Sequence, residues 1–239
     1  MISVIMPAYN EINNITRTIE EAVKTLEESS LDYEVIVVDD GSNDGTLNKA
    51  LSVVKKHNTV RAYGYTVNMG KGYALKYGYQ FTQGDLVMFL DSDSDLPPYQ
   101  IIRFLDYMNK TDADVVIGSK RHPLSEIQFP LLRRVLSRGY LLQTKLMFNL
   151  DISDTQVGMK LFRRKVLENI IPTLFINRYA FDLELLVRIH DMGYRIVEAP
   201  VSIKYQFTSH INLKDVWRMF VDTMIVFRRL RLSHFGNRK

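Results

Sequence analysis

The sequence predicts an α/β protein built on a mostly parallel sheet with helices on both faces. Three observations lead there. Strand-like and helix-like stretches alternate through the first 120 residues. The strands are short and apolar on consecutive positions, the pattern of strands covered on both faces. Polar and acidic residues collect at their carboxyl ends, over 7–11, 39–42 and 91–95, where open parallel sheets bind ligands.

Residues 2–6 read as the first strand. Ile12, Ile15, Ile19, Val23 and Leu26 recur at helical spacing, so 12–26 reads as a helix with one apolar face. Residues 35–38 form a wholly apolar strand that stops at Asp39-Asp40-Gly41-Ser42. A helix from about Asp44, a strand over 60–65, a helix from Lys71, a strand over 86–90, a helix opening at Pro98 and a strand over 115–118 complete the alternation. The second half differs. Stretches 129–150 and 213–232 are long helical patterns with a broad apolar surface and a basic one, and 155–162 and 195–205 look like strands flanking a helix at 181–192.

Composition narrows the classes. Hydrophobic residues make up 46% of the 239 positions and charged residues 24%, as in ordinary folded domains. Cysteine is absent, which excludes disulfides and thiolate metal sites. The first residues lack a basic region followed by a cleavage site, so no signal peptide is expected. No stretch approaches the roughly 20 apolar residues of a spanning helix. A net charge of +4 suits an anionic partner, yet no nucleic-acid recognition motif is present.

The chemistry concentrates after residue 90. Asp91, Asp93 and Asp95 alternate, and in extended backbone alternate residues project to one side. Three converging carboxylates repel unless a cation holds them, and a hard, oxygen-ligated ion such as Mg²⁺ or Mn²⁺ suits them. A polar loop capping the helix at Pro98 accounts for the same residues. Asp39 and Asp40 stand where a carboxylate can take hydrogen bonds from a base N–H or ribose hydroxyls, although a turn and helix cap would also use them. Tyr9 and Glu11 end the first strand nearby. Lys71 opens a helix, as a phosphate contact or a solvated lysine.

Four segments together resemble the family-2 glycosyltransferases of the GT-A fold: Val4-Ile5-Met6-Pro7-Ala8-Tyr9-Asn10-Glu11, Val37-Val38-Asp39-Asp40-Gly41-Ser42, Asn68-Met69-Gly70-Lys71-Gly72, and Asp91-Ser92-Asp93. Their order and spacing match across the first half. In the second half, Gly118-Ser119-Lys120, the run from Asp154 to Phe162, and the run from Arg178 to Leu186 look like the polyprenyl-phosphate sugar transferases. They sit closer to the dolichyl-phosphate glucosyltransferase branch than to the mannosyltransferase branch. Met159 and Val157 depart from the usual Phe and Cys, both apolar exchanges.

The resemblance implies an inverting transferase that moves a hexose from a nucleotide diphosphate sugar, UDP-glucose first and GDP-mannose second, to a polyprenyl (dolichyl) phosphate. It implies peripheral attachment at the cytoplasmic face of a membrane, with no nucleic-acid partner. A donor site of Pro7, Tyr9, Glu11, Asp39, Asp40, Lys71, Asp91 and Ser92 is implied, with Asp91, Asp93 and Asp95 on Mg²⁺ or Mn²⁺. Many relatives carry Gln at the place of Asp95. Asp93 and Asp182 are the catalytic candidates; Asp182 and Glu184 are the acids the family pattern offers as a base, and either could instead order arginines or a loop. Arg133 with Ser137 matches the family's lipid-phosphate pair on one helix, and Lys120 takes the place of a family Arg. An amphipathic helix packed on the sheet explains the Arg133 helix as well. The C-terminal stretch, with Val216, Trp217, Phe220, Val221, Met224 and Phe227 beside Arg218, Arg228, Arg229 and Arg231, suits an interfacial helix. We expect one continuous domain, with a nucleotide-sugar half over 1–120 and an acceptor half with membrane-facing helices over 121–239. A transferase acting on a glycan hydroxyl, or a non-catalytic nucleotide- or lipid-binding module, are the rival readings.

Overall fold

The computed structural model describes residues 1–29, 31–125, 131–178, 180–203 and 213–232, with the side chains of 131–138, 213–216 and 232 left aside. In chain order the elements are β1 (Ile2–Ala8), α1 (Ile15–Glu28), β2 (Tyr33–Asp40), α2 (Thr46–Val54), β3 (Val60–Tyr65), α3 (Lys71–Tyr79), β4 (Leu86–Leu90), α4 (Ile101–Thr111), β5 (Val115–Ser119), α5 (Leu131–Phe148), β6 (Met159–Arg163), α6 (Arg164–Ile170), α7 (Phe181–Asp191), β7 (Ile196–Pro200) and α8 (Leu213–Phe227). One sheet runs β3-β2-β1-β4-β6-β5-β7. Among the described strands only β6 is antiparallel, to both β4 and β5; the other pairs are parallel.

The strands are apolar on both sides because two cores share them. Val4, Met6, Val35, Val37, Met88 and Leu90 face the core under α1, α2 and α4. Their neighbours Ile5, Ile36, Val38, Val87 and Phe89 face the other, filled from α3, α6 and α7 with Phe148 and Val226. The period of two sends each residue to one layer or the other.

Several bounds shift by a few residues from the sequence reading, and two differences have a physical cause. The strand expected over 155–162 begins only at Met159, because Asp154 Oδ1 takes the Gln156 N–H at 3.1 Å and turns the chain first. Helix α6 was not expected; its seven residues are too short to show a period. The expected starts and ends at Phe129 and Tyr205, and the side chain of Val216, lie outside the described residues.

Helix α8 is fastened along one side and bare along the other. Thr223 and Val226 are buried, and the Phe227 ring meets Phe148 at 5.8 Å. A π-type turn over Arg228–Leu232 follows. There Arg231 pairs with both oxygens of Asp191, at 2.9 and 3.0 Å, and donates to the Phe148 carbonyl. Arg229 stacks over Phe175 at 4.3 Å. These two arginines therefore serve the body of the protein. Trp217, Phe220, Val221 and Met224 are exposed at i, i+3, i+4 and i+7, with Trp217 65% exposed. Leu142 and Leu146 of α5 are exposed as well, and Tyr140 Oη lies 3.3 Å from Thr223 Oγ1, joining the two helices. Among the described residues, no helix is long and apolar enough to cross a membrane.

Helix α3 packs on the sheet through Gly78. A Cβ there would lie 2.7 Å from an Ile5 methyl and 2.9 Å from a Val38 methyl, both on stiff β-branched side chains. Overpacking costs about 1–3 kcal/mol, against roughly 1 kcal/mol gained in helix propensity. Gly78→Ala is therefore expected to destabilise the protein by about 1 kcal/mol in urea unfolding, opposite in sign to the effect at an exposed helical glycine.

Candidate active site

The carboxyl ends of β1, β2 and β4 open into one cleft lined by Pro7, Ala8, Tyr9, Glu11, Asp40, Lys71, Asp91, Ser92 and Asp93. Apart from Ala8, every residue on that wall is one the sequence singled out. The loops are laced together from β1 to β2. Asn10 and Ile12 donate their amides to Ser42 Oγ and Asp44 Oδ2 at 2.9 and 3.1 Å, and Glu11 donates to Thr46 Oγ1 at 2.8 Å. Burial opposes charge on Asp44, but hydrogen bonds from Thr46 and Ile12 hold its carboxyl below the usual range. Asp44, one residue ahead of the Gly45 N-cap, thus takes the first amide of α2, Thr46 N–H, at 2.9 Å, and neither Asp39 nor Asp40 is used there.

Asp39 and Asp40 divide the labour. Asp40 accepts hydrogen bonds from Tyr65 Oη (2.8 Å), Asn68 Nδ2 (3.0 Å), Met69 N (2.8 Å) and Gly70 N (2.9 Å). Its carboxylate shapes the turn that launches α3. Gly70 has φ +97°, a conformation side chains rarely adopt. Asp39 is just as buried, yet only Oδ2 is engaged, by the Ser42 N–H at 3.1 Å. Its Oδ1 is buried with no partner, and a buried acceptor without a donor costs free energy until a ligand supplies one.

Past β4 the acidic run does not stay extended. Ser94 takes φ +64°, and Asp93 Oδ1 accepts the Asp95 N–H at 3.0 Å. Strand alternation is lost, so the expected convergence of Asp91, Asp93 and Asp95 is not met: among the described residues no group of three acidic or histidine side chains is placed to hold a metal ion. Asp95 is not part of the cleft wall. Ser92 donates its hydroxyl to the Pro7 carbonyl at 2.8 Å, stapling β4 to β1. Burial, then the charges of Asp91, Asp95 and Glu11, push Asp93 up to about 7. Burial and the neighbouring acids also raise Glu11, against a hydrogen bond from Asn14. Asp91 and Asp93 thus place two carboxylates in a site short of positive charge, where they could serve as hard oxygen ligands. That donor set fits Mg²⁺ or Mn²⁺, which bind through one or two carboxylates and complete their shell with phosphate oxygens and water.

Lys71 answers part of that shortage. Its ammonium lies 2.6 Å from Asp91 Oδ1 and 3.7 Å from Asp182 Oδ2. Burial works against its charge, but Asp182 and Asp91 hold its pKa above the ordinary lysine value. Asp182, near the start of α7, also receives Lys160 Nζ at 2.7 Å. Burial disfavours its charge, while Lys160 and Lys71 keep the carboxyl below the usual range. Lys160 is 1% exposed and donates to the Val157 carbonyl as well. The sequence reading passed over it, although a lysine inside the apolar run from Val157 to Phe162 must be paired if buried. Gly158 was also missed: the Asp91 side chain lies where its Cβ would be.

The other candidates lie apart from this wall. Lys120 pairs with Asp154 at 3.8 Å. Arg133 and Ser137 lie on α5, and their side chains are outside the described residues, as is Tyr179. Glu184 is fully buried and accepts the amides of Phe175 and Ile176 (3.1 and 2.9 Å) and Arg188 Nε (2.9 Å). It orders an arginine and the loop ahead of α7. That loop in turn supports α3, since Gly72 donates its amide to the Asn177 carbonyl at 2.9 Å. Glu184→Ala is expected to cost about 3 kcal/mol in denaturant unfolding, because it strands two amides and a guanidinium together.

The family model described as glycosyl transferase family 2 matches residues 3–171. The dolichyl-phosphate beta-glucosyltransferase of Dictyostelium discoideum is 33% identical over 214 residues, 84% of this chain and 65% of that protein. Glycosyltransferase AglD of Haloferax volcanii is 31% identical over 221 residues, 91% of this chain and 35% of that protein. The chain thus spans less than two thirds of either relative. Glucosyl-3-phosphoglycerate synthase from Mycobacterium tuberculosis, solved with Mn²⁺, UDP-glucose and phosphoglyceric acid, superposes with a TM-score of 0.71 at 21% identity, covering 96% of this chain and 79% of that one. Such a likeness carries the fold. With the sheet order and the family match over most of its length, the chain belongs to glycosyl transferase family 2 and has the GT-A fold.

Proposed function

We propose that this chain transfers glucose, with inversion, from UDP-glucose to a polyprenyl (dolichyl) phosphate, as a peripheral enzyme at the cytoplasmic face of a membrane. The observation that carries the reading is the state of the two acids that the family pattern offers as a base. Both oxygens of Asp182 face lysine ammonium groups, and Glu184 is committed to backbone amides and Arg188. Neither is free to take a proton from a hydroxyl. An acceptor phosphate needs no such base, since it arrives already anionic near neutral pH. The name of the Dictyostelium relative supports the same acceptor.

Asp39 supports a uridine donor. One buried, unpartnered oxygen fits the single N–H donor of uracil. Guanine presents two adjacent donors and would call on both oxygens, one of which Ser42 already holds. Asp91 and Asp93 are the residues that would hold the divalent ion, which offsets the charge growing on the departing diphosphate. Lys71 meets the same phosphates from the α3 side, with Asp182 Oδ2 3.7 Å from its ammonium on the other flank. An acceptor oxygen attacks the anomeric carbon as the bond to the diphosphate breaks, so alignment and charge stabilisation do the catalytic work. Lys120, Arg133 and Ser137 are assigned to the acceptor phosphate on the family resemblance.

The exposed stripe of Trp217, Phe220, Val221 and Met224, and the exposed Leu142 and Leu146 of α5, support attachment by apolar insertion. Replacing Trp217 and Phe220 together by Ser is expected to weaken co-sedimentation with phospholipid vesicles on the order of 100-fold, at about 1–2 kcal/mol per side chain. UDP affinity should not change.

The deciding experiment offers purified protein radiolabelled UDP-glucose and GDP-mannose in parallel, with polyprenyl phosphate as acceptor. UDP-glucose should be used, excess chelator should stop turnover, and Asp93→Asn should abolish it. Arg133→Ala should lower acceptor kcat/KM about 10- to 150-fold, the loss of one charge-assisted hydrogen bond, while UDP binding stays near wild type. Efficient glucosylation of a free sugar, with Arg133→Ala silent, would sink the assignment.

A further inference from the structure

Lys71 covers both oxygens of the carboxylate that a divalent ion would use: its Nζ is 2.6 Å from Asp91 Oδ1 and 3.0 Å from Oδ2. A second carboxylate stands ready on its other side, with Asp182 Oδ2 at 3.7 Å. Lys160 pins Asp182 at 2.7 Å, so this alternative partner stays charged and in place. The backbone beneath Lys71 is equally fixed, since Asp40 holds the Gly70 amide and the Asn177 carbonyl holds that of Gly72. Only the lysine side chain, 31% exposed on the cleft wall, is left to move.

We propose that Lys71 is an internal counter-ion exchanged during substrate uptake. In the nucleotide-free protein its ammonium stands on Asp91 in the divalent ion's place. It leaves for Asp182 and the donor's phosphates when ion and nucleotide enter together. An ammonium and a dication cannot share one carboxylate cheaply, because at close range like charges repel strongly even at the effective dielectric of a protein surface. The diphosphate removes that conflict by giving the lysine a new anion. Ion and nucleotide must then each raise the affinity for the other, by reciprocity of binding free energies. Before the donor arrives, the arrangement keeps Asp91 neutralised without an ion.

This inference rests on the reading of Asp91 and Asp93 as ion ligands given above, and its test separates the two. Mn²⁺ binding to the full chain is measured by electron paramagnetic resonance, with and without UDP, for wild type, Lys71→Met, Lys71→Gln and Lys71→Arg. Wild type should bind Mn²⁺ weakly alone, and UDP should tighten it at least about 10-fold. Lys71→Met should bind Mn²⁺ alone about 10- to 100-fold more tightly than wild type, with most of the UDP-dependent gain gone. Lys71→Gln reads the same quantity if the methionine variant does not fold, and Lys71→Arg, which keeps the charge, should stay near wild type. Adding Asp91→Asn to Lys71→Met should erase the gain. If UDP tightens Mn²⁺ in wild type but the neutral variants bind it no better alone, the counter-ion exchange is wrong and the ion site stands. If wild type binds no Mn²⁺ even with UDP, both fall.

Discussion

A lysine ammonium shared between two carboxylates is the contact on which the rest of this site depends. Lys71 comes from the first turn of α3, Asp91 from the end of β4 and Asp182 from the start of α7, so one cation ties three elements together. The consequences spread outward. Asp182 is 6% exposed and would be too costly to bury on one shared partner, which requires Lys160 behind it. Lys160 can stand there only because β6 runs beside β4, with Lys160 opposite Phe89. The same strand approach puts Gly158 against Asp91, where any side chain would displace the carboxylate. Charge compensation and sheet topology are one constraint here.

The sequence was most readable where one period or one motif governs. Apolar runs such as 35–38 and 86–90 can only be covered strands, and they are. Most motif residues at strand ends, Asp39 and Asp95 excepted, share one wall because parallel strands deliver their carboxyl ends to the same edge. What stayed hidden was how each side chain is employed. Asp39 and Asp40 are chemically identical neighbours, but alternation sends them to opposite sides, and only the folded partners reveal which one is saturated. The alternating acids after Leu90 looked convergent because an extended chain was assumed. Ser94 at positive φ breaks that assumption, and nothing in Asp-Ser-Asp-Ser-Asp announces it. Lys160 was legible in principle as a lysine in an apolar run; its partner lies 22 residues away and was not.

Helix α8 shows a similar limit. Its composition mixes arginines with aromatics, and composition assigns both to one role. The fold separates them: Arg229 and Arg231 hold the helix to Phe175, Asp191 and Phe148, while Trp217 and Phe220 remain outside. Fastening at the carboxyl end fixes the direction in which the apolar stripe points. A rigidly presented stripe loses little conformational entropy when something covers it.

The antiparallel strand also governs the order in which this sheet can be completed. β5 leaves the chain before β6 but reaches β4 only through it, since β6 lies between them. A nascent chain that has emerged only as far as Ser119 holds four parallel strands with β4 as an open edge, its backbone groups unpaired toward the missing neighbour. That edge is apolar throughout, from Leu86 to Leu90, and stays available to any passing strand until Arg163 has been synthesised. A chaperone that shields strand edges thus has a defined interval of translation in which to act.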